Sequence, residues 1–496
     1  MSRTSPLPRS GGILLHPTSL PGTGIGDLGE HAHRFARLIR DMGLRWWQML
    51  PVGPTGYGDS PYQSPSTFAG NPLLIPTDLP AGSQPEQDEA TVDDFPADRV
   101  DFGRVIPWKR QALDAITAHL LERPPSAEFL SFVEVHRSVW LHDFAIFTAL
   151  KRAHRLAPWW EWPDDLRHRR PQAIRSVERS LAHEIARVEV EQFLFDQAFG
   201  ALRRECGELG IGLIGDIPIF VAADSADVWA NRHLFLLDEA GNPTVVAGVP
   251  PDYFSATGQR WGNPLYDWDV HKATGFGWWE ARMRRTFEMF DLVRIDHFRG
   301  FVASWHIPAS EQTAVEGEWV SAPGRELFGH LQATFGDLPV IAEDLGLITP
   351  EVEALRDEFD LPGMKVLQFG FGTESAHALD QFRPNVVAYT GTHDNDTARG
   401  WFESADPTRT KERQTALATL GTDGSDFAWD LIEAVFESVA AVAVVPLQDV
   451  LSLGSRARMN TPGTDTGNWR WRFDWHQLDA PRIERMRSLV ERTDRR

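Results

Sequence analysis

The sequence predicts an α/β chain folded as a (β/α)8 TIM barrel with large insertions between its strands. Eight short apolar runs recur along the 496 residues, most of them separated by segments of helical spacing, the alternation expected of a parallel sheet. The chain is about twice the ~250 residues that such a barrel needs, and two long stretches that break the alternation account for much of the excess. Several apolar runs also end at a charged residue, and a barrel carries its chemistry at the C-terminal ends of its strands.

The first run, Gly11–His16, leads through a turn-rich segment to Glu30–Met42, where Phe35, Leu38, Ile39 and Met42 share one helical side. Leu44–Val52 is the second strand, stopped at Gly53-Pro54. Residues 55–184 then read as a mostly helical insertion, with a Gly/Pro/Ser/aromatic stretch, an acidic loop-like segment and amphipathic helices from Trp108 onward. Trp159, Trp160 and Trp162 interrupt those helices and are expected to form insertion core. A long helix, about Ile185–Leu209, returns the chain to the third strand, Ile211–Ile219. Residues 220–275 are read as a second insertion covering the active-site cleft, followed by a helix near Trp278–Phe290. The fourth strand lies in Asp291–Phe301 (DLVRIDHFRGF), with a loop after it. A helix around Glu326–Phe335 precedes strand five, Leu338–Glu343, and a helix over Glu351–Phe359 precedes strand six, Met364–Phe371. Val386–Thr390 is strand seven, with a smaller insertion over 392–425. Ala405–Val439 is helical in two pieces, Ala440–Gln448 is strand eight, and a last helix begins near Gln477. With no internal repeat and no extended linker, residues 1–496 read as one barrel with its insertions packed on it.

Composition narrows the partners. A net charge of −21 argues against nucleic acid and anionic surfaces. No apolar run approaches the ~20 residues of a membrane span, and the N-terminus lacks a signal-peptide core. One cysteine, Cys206, cannot form an internal disulfide, which points to a reducing, cytoplasmic setting. Nineteen Trp against five Tyr supply flat apolar faces, and the negative charge favours sugars over bases as what stacks on them. A monomer is compatible with all of this.

Polar residues at the predicted strand ends are Asp216, Arg294, Asp296 and Glu343, joined by His393 and Asp394 just after strand seven. Arg294 and Asp296 are two residues apart on a strand, so they project to one face and the cation favours the ionised acid. By themselves these two residues fit a structural ion pair as well as a functional one. Six such groups on one rim fit two chemistries. Metal-dependent hydrolysis usually draws on several histidines after the first strand, where only His16 stands, so metal catalysis is the poorer fit. Glycosyl transfer needs two carboxyl groups in opposite protonation states. Asp296 beside Arg294 suits the ionised role. Glu343, next to Asp344 and expected to face Asp296 and Asp394, suits the protonated one. His297 is expected on the face opposite Asp296, as a residue that packs or that supports the reacting groups from behind, and not as a catalyst.

The chain resembles the 4-α-glucanotransferases, the amylomaltase or disproportionating-enzyme family, over essentially its whole length. The motifs are HPTSLPG (Gly22 last), GPTGYGDSPYQ (Gly53–Gln63), GDIPIFV (Gly215–Val221), GVPPDYFS with GQRWGNPLYDW (Gly248–Trp268), RIDHFRGF (Arg294–Phe301), AEDLG (Ala342–Gly346), GTHDND (Gly391–Asp396) and RMNTPG (Arg458–Gly463). The resemblance implies that Asp296 is a nucleophile forming a covalent β-glucosyl-enzyme, Glu343 the acid/base, and Asp394 a transition-state stabiliser holding sugar hydroxyls. It implies that Arg294, His393, Asp216 and Asn460 contact the substrate. Tyr57, Asp59, Ser60 and Tyr62 would form the acceptor-side loop, and Asp252, Tyr253, Gln259 and Trp261 the loop over the cleft. The implied substrates are α-1,4-glucans and maltooligosaccharides, with cycloamyloses from intramolecular transfer and no cofactor or metal. Retention implies carboxyl groups of Asp296 and Glu343 about 5–5.5 Å apart. One departure stands out: Ser304 occupies a position where an aromatic is expected, which bears on subsite shape. An α-amylase-like hydrolase would use the same carboxylates. A catalytically dead glucan-binding protein is disfavoured, because none of the three carboxylates is missing.

Overall fold

The computed structural model describes residues 7–77, 95–251, 255–372 and 375–496. Eight strands form one parallel sheet: β1 (Ser10–Leu14), β2 (Trp46–Gln48), β3 (Gly212–Pro218), β4 (Leu292–Asp296), β5 (Val340–Ala342), β6 (Gly363–Val366), β7 (Val386–Tyr389) and β8 (Val442–Pro446). They are hydrogen-bonded in the order β6-β7-β8-β1-β2-β3-β4-β5. The remaining seam is bridged where the Ala342 N–H donates to the Pro362 carbonyl at 2.9 Å, so the sheet curls into a nearly closed barrel.

The strands are apolar on both faces because side chains fill the interior and helices cover the outside. Every residue of β7 and β8 is buried. The Trp46 side chain decides which residues can flank it. A Cβ on Gly12 of β1 would lie 2.7 Å from the Trp46 Cβ, and one on Gly212 of β3 would lie 2.3 Å from its ring. Glycine on both sides lets the indole lie between the strands. The outer layer includes Glu30–Asp41, the long Ala182–Glu208, Gly277–Met289, Gly324–Phe335, Pro350–Glu358, Phe427–Glu437 and Ala480–Arg492.

Between β2 and β3 come the helices Phe102–Leu121, Ala127–His136, His142–Ala153 and Pro171–Ser180. Trp159 and Trp162 are buried among them and Trp160 is half-buried, as core packing requires. The Trp159 indole N–H donates to the Ala223 carbonyl at 2.8 Å, tying this region to the chain beyond β3.

Two features depart from the sequence reading. Several strands are shorter than their apolar runs: Leu44–Val52 contributes only Trp46–Gln48, and Met364–Phe371 turns at Leu367 into a 3-10 helix. Met49, Leu50 and Val52 are still buried, so their apolarity reports burial at the rim rather than membership of the ladder. Secondly, the loop expected after β4 holds strands. Gln259–Pro264, Val245–Val249, Ala303–Pro308 and Glu318–Ser321 pair in that order as a four-stranded antiparallel sheet. It joins the stretch before β4 to the stretch after it. Among the described residues no helix is long and apolar enough to cross a membrane.

Candidate active site

Strand register builds the first half of the site. Asp216 on β3 lies opposite Arg294 on β4, and Pro218 lies opposite Asp296. Asp216, Arg294 and Asp296 therefore share one side of the sheet. The Arg294 Nη1 donates to both carboxylate oxygens of Asp216 at 2.9 and 2.8 Å, while Nη2 donates to Asp296 Oδ1 at 2.7 Å. One buried guanidinium thus serves two acids, the fork geometry that arginine provides. Burial works against the Arg294 charge, but Asp216 and Asp296 outweigh it and hold the group well above its ordinary range. Burial pushes Asp216 up to about 7 against the pull of Arg294, and the Tyr62 hydroxyl donates to Asp216 at 2.8 Å. The Asp296 side chain is 34% exposed against 4% for Arg294, so its carboxylate is the part of this network open to a ligand.

Glu343 follows β5, whose Ala342 is in register with Ile295 of β4. Its oxygens accept the backbone N–H of His297 at 2.6 Å and of Leu345 at 3.1 Å. Burial raises the Glu343 carboxyl to about 8, with Asp296 adding to the rise and Arg294 and the His297 N–H opposing it. This reverses the weighting expected from sequence. Asp344 contributes least, because its carboxylate bonds instead to Arg356 and to the Met364 N–H.

The backbone of His297 differs from expectation, while its ring packs and its N–H supports Glu343. It is not a strand residue but takes a left-handed backbone, φ 57°, directly after β4, and that turn aims its N–H at Glu343. Its half-buried ring packs edge-on to Trp261 at 4.8 Å, and desolvation lowers its pKa to about 4.

The second half of the rim is built by loops. After β7, the Thr390 hydroxyl and the Ala398 N–H both donate to buried Asp449, at 2.6 and 2.7 Å, pinning the two ends of the segment that carries His393 and Asp394. The Asn460 amide donates to Asp394 Oδ1 at 2.6 Å, and Arg458 donates to the Asp394 carbonyl at 2.6 Å. His393 Nε2 lies 3.3 Å from Asp394 Oδ1. The His393 ring stacks on Tyr62, with centroids 5.1 Å apart and planes 16° from parallel. Burial lowers the His393 pKa, with Asp394 opposing. Trp469 touches both rings, at 5.7 Å from Tyr62 and 5.9 Å from His393. Sequence reasoning passed over Trp469 and gave Arg458, the first residue of RMNTPG, no role of its own. The aromatic pair in NWRW, just beyond RMNTPG, was the available signal.

The other expected contacts vary in how far they enter this constellation. Tyr62 sits at its centre, whereas Tyr57 is 77% exposed on the Tyr57–Asp59 turn. Burial raises the Asp59 carboxyl, with Arg470 opposing, and Ser60 Oγ accepts the Tyr62 N–H at 3.2 Å. Trp261 reaches the site through the His297 ring, and its indole N–H donates to Gln259 at 3.1 Å. Asp252 and Tyr253 lie outside the described residues. Ser304 is buried in the small sheet, with Oγ 3.1 Å from His306 Nε2, so its side chain does not open to the cleft. Among the described residues no cluster of three or more His, Cys, Asp or Glu is arranged to hold a metal ion.

The profile of the 4-alpha-glucanotransferase family matches residues 15–478. The chain belongs to this family. It is 51% identical to the 4-alpha-glucanotransferase of Thermus thermophilus over 99% of each chain. It is 41% identical to the chloroplastic/amyloplastic 4-alpha-glucanotransferase of Solanum tuberosum, covering 97% of this chain and 86% of that one. In three dimensions it is similar to the amylomaltase of Streptococcus agalactiae, solved in complex with acarbose. That match has a TM-score of 0.93 and 35% identity, and covers 98% of this chain and 99% of that chain. The motif resemblance and the fold expectation are thereby borne out.

Proposed function

We propose that this protein transfers a segment of an α-1,4-glucan to the 4-hydroxyl of another glucan or of glucose, by double displacement with retention. Family membership supports the activity, and one observation carries the mechanism. Asp296 is ion-paired to a buried guanidinium, while neighbouring Glu343 keeps its proton up to about pH 8. That is the division of labour a retaining glycosidic reaction needs.

In the first step an Asp296 oxygen attacks the anomeric carbon as Glu343 gives its proton to the departing 4-oxygen. A carbon–oxygen bond to the enzyme forms and the glycosidic bond breaks. In the second, Glu343 takes the proton of an incoming 4-hydroxyl, whose oxygen displaces Asp296. Arg294 orients the nucleophile. Asp394, held by Asn460, binds sugar hydroxyls near the cleaved bond, with Asp216, Tyr62 and His393 lining the same pocket. The loop bearing Tyr57, Asp59 and Ser60 meets the acceptor, and Asp252, Tyr253, Gln259 and Trp261 guide the glucan over the cleft. Attack by the donor's own chain end yields cycloamyloses. A lone, buried Cys206 fits work in a reducing cytoplasm.

Incubation with maltotriose tests this reading. Glucose together with a ladder of longer oligosaccharides is expected. Shorter products alone would replace transfer by hydrolysis, since water and a sugar compete for the same intermediate.

A further inference from the structure

We propose that Trp469 is a positioning residue of this site, the third ring that locks Tyr62 and His393 in their parallel stack. The inference rests on the transfer reading above for its kinetic test, but not for its spectroscopic one.

Three observations converge on Trp469. It contacts both stacked rings, 5.7 Å from Tyr62 and 5.9 Å from His393. It is 6% exposed, so its ring is packed against its neighbours and not turned to solvent. Its backbone is left-handed, φ 64°, a conformation that bulky L residues avoid and that persists only where the surroundings over-determine it. The surroundings do so here. The Trp469 N–H donates to the Met459 carbonyl at 2.7 Å, and the Asn468 amide braces the same loop, accepting the Thr461 N–H at 3.0 Å and donating to the Thr464 carbonyl at 2.9 Å. An ordinary core tryptophan needs no such backbone. The loop that bears Trp469 also supplies Asn460 and Arg458 to Asp394. One segment therefore grips the loop after β7 twice, through polar atoms at Asp394 and through an aromatic face at His393.

The titratable and charged groups around His393 come from several elements: His16 after β1, whose own pKa burial lowers to about 3, Arg294 and Asp296 on β4, and its neighbour Asp394. Tyr62 adds a hydroxyl already committed to Asp216. Trp469 is neutral, so removing its ring leaves those charges in place and admits water. Burial is the leading cause of the depressed His393 pKa, so the imidazole would then titrate higher, toward its ordinary 6.5.

The test compares Trp469→Leu, which keeps apolar bulk without a stacking face, with Trp469→Phe, which keeps a ring. Trp469→Gly, suited to a positive φ, replaces the Leu variant if that one does not fold. Turnover of maltotriose and NMR titration of His393, assigned with His393→Gln, are measured. Loss of the ring is expected to lower kcat about 10- to 100-fold with a smaller change in KM, because misplaced groups cost rate through orientation. His393 should titrate higher in the Leu or Gly variant, and Phe should recover kcat to within about threefold of wild type. The proposal is overturned if the ringless variant keeps kcat within about twofold, if its loss is confined to KM, if Phe is as impaired as Leu, or if His393 titrates as in wild type. Failure of the wild type to make a ladder from maltotriose would count against the transfer reading alone. The His393 titration would still decide the role of Trp469.

Discussion

The two halves of the rim hold their acids by different means. On the β3–β5 side, Asp216, Arg294, Asp296 and Glu343 are set by strand register and by the turn at His297. On the β7–β8 side, His393 and Asp394 ride on a loop and are braced by a second loop through Asn460, Arg458 and Trp469. Parallel strands fix side chains to fractions of an ångström, which the proposed bond-making between Asp296 and an anomeric carbon requires. Loops can follow a ligand, which suits groups that hold sugar hydroxyls while glucans of different length pass. The difference fits the proposed mechanism, with bond chemistry on the strand-held half and sugar holding on the loop-held half.

The largest expected effect is on the strand-held side. Asp296→Asn keeps the shape but loses the nucleophile, and maltotriose turnover should fall by roughly three to five orders of magnitude, because nucleophile and acid act as a unit. Turnover equal to wild type would remove Asp296 from the mechanism.

Glu343 offers a prediction in pH. The folded protein holds its proton up to about 8, whereas the unfolded chain releases it near 4.5, so the folded state binds the extra proton between those values. Stability from this group therefore falls as pH rises from 4.5 to about 8. Glu343→Gln should melt higher than wild type, by a wider margin at pH 8 than at pH 5, while transfer drops by about 10²–10⁴. In the wild type, kcat/KM should decline above about pH 8 as the acid is lost. A margin that narrows with rising pH would contradict the buried-acid assignment.

The smallest effect belongs to the loop-held side. Asn460→Ala removes the amide from Asp394 and is expected to lower kcat about tenfold, with little change in melting temperature because the bond lies at an open rim. An effect as large as that of Asp296→Asn would erase the distinction between the halves.

The same distinction explains what was legible in the sequence. Arg294 and Asp296 could be put on one face from their spacing alone, and Asp216 and Glu343 from their place at the ends of apolar runs, because strand periodicity is local. Pairing across the small antiparallel sheet was not legible. Ala303–Pro308 and Glu318–Ser321 are short and bounded by loops, and the strand that joins them to the rest of the sheet, Val245–Val249, lies on the far side of β4 in sequence. Strand ends were overrun where rim residues such as Met49 and Leu50 stay apolar after leaving the ladder. The proton on Glu343 was expected from neighbouring charges, but burial leads, and burial depends on residues brought from several elements. His297 illustrates the same limit, since its contribution to Glu343 is a backbone N–H that no side-chain pattern reveals. Trp469 escaped for want of regular structure around it.

The central claim is that Asp296 becomes covalently glucosylated. The direct measurement is mass spectrometry of Glu343→Gln after exposure to α-maltotriosyl fluoride, a donor whose fluoride leaves without an acid and whose enzyme adduct this variant cannot resolve efficiently. The account predicts a glycosyl adduct on the peptide containing Asp296, absent when Asp296→Asn is added. An adduct on another residue, or none while the fluoride is consumed at wild-type rate, would contradict it.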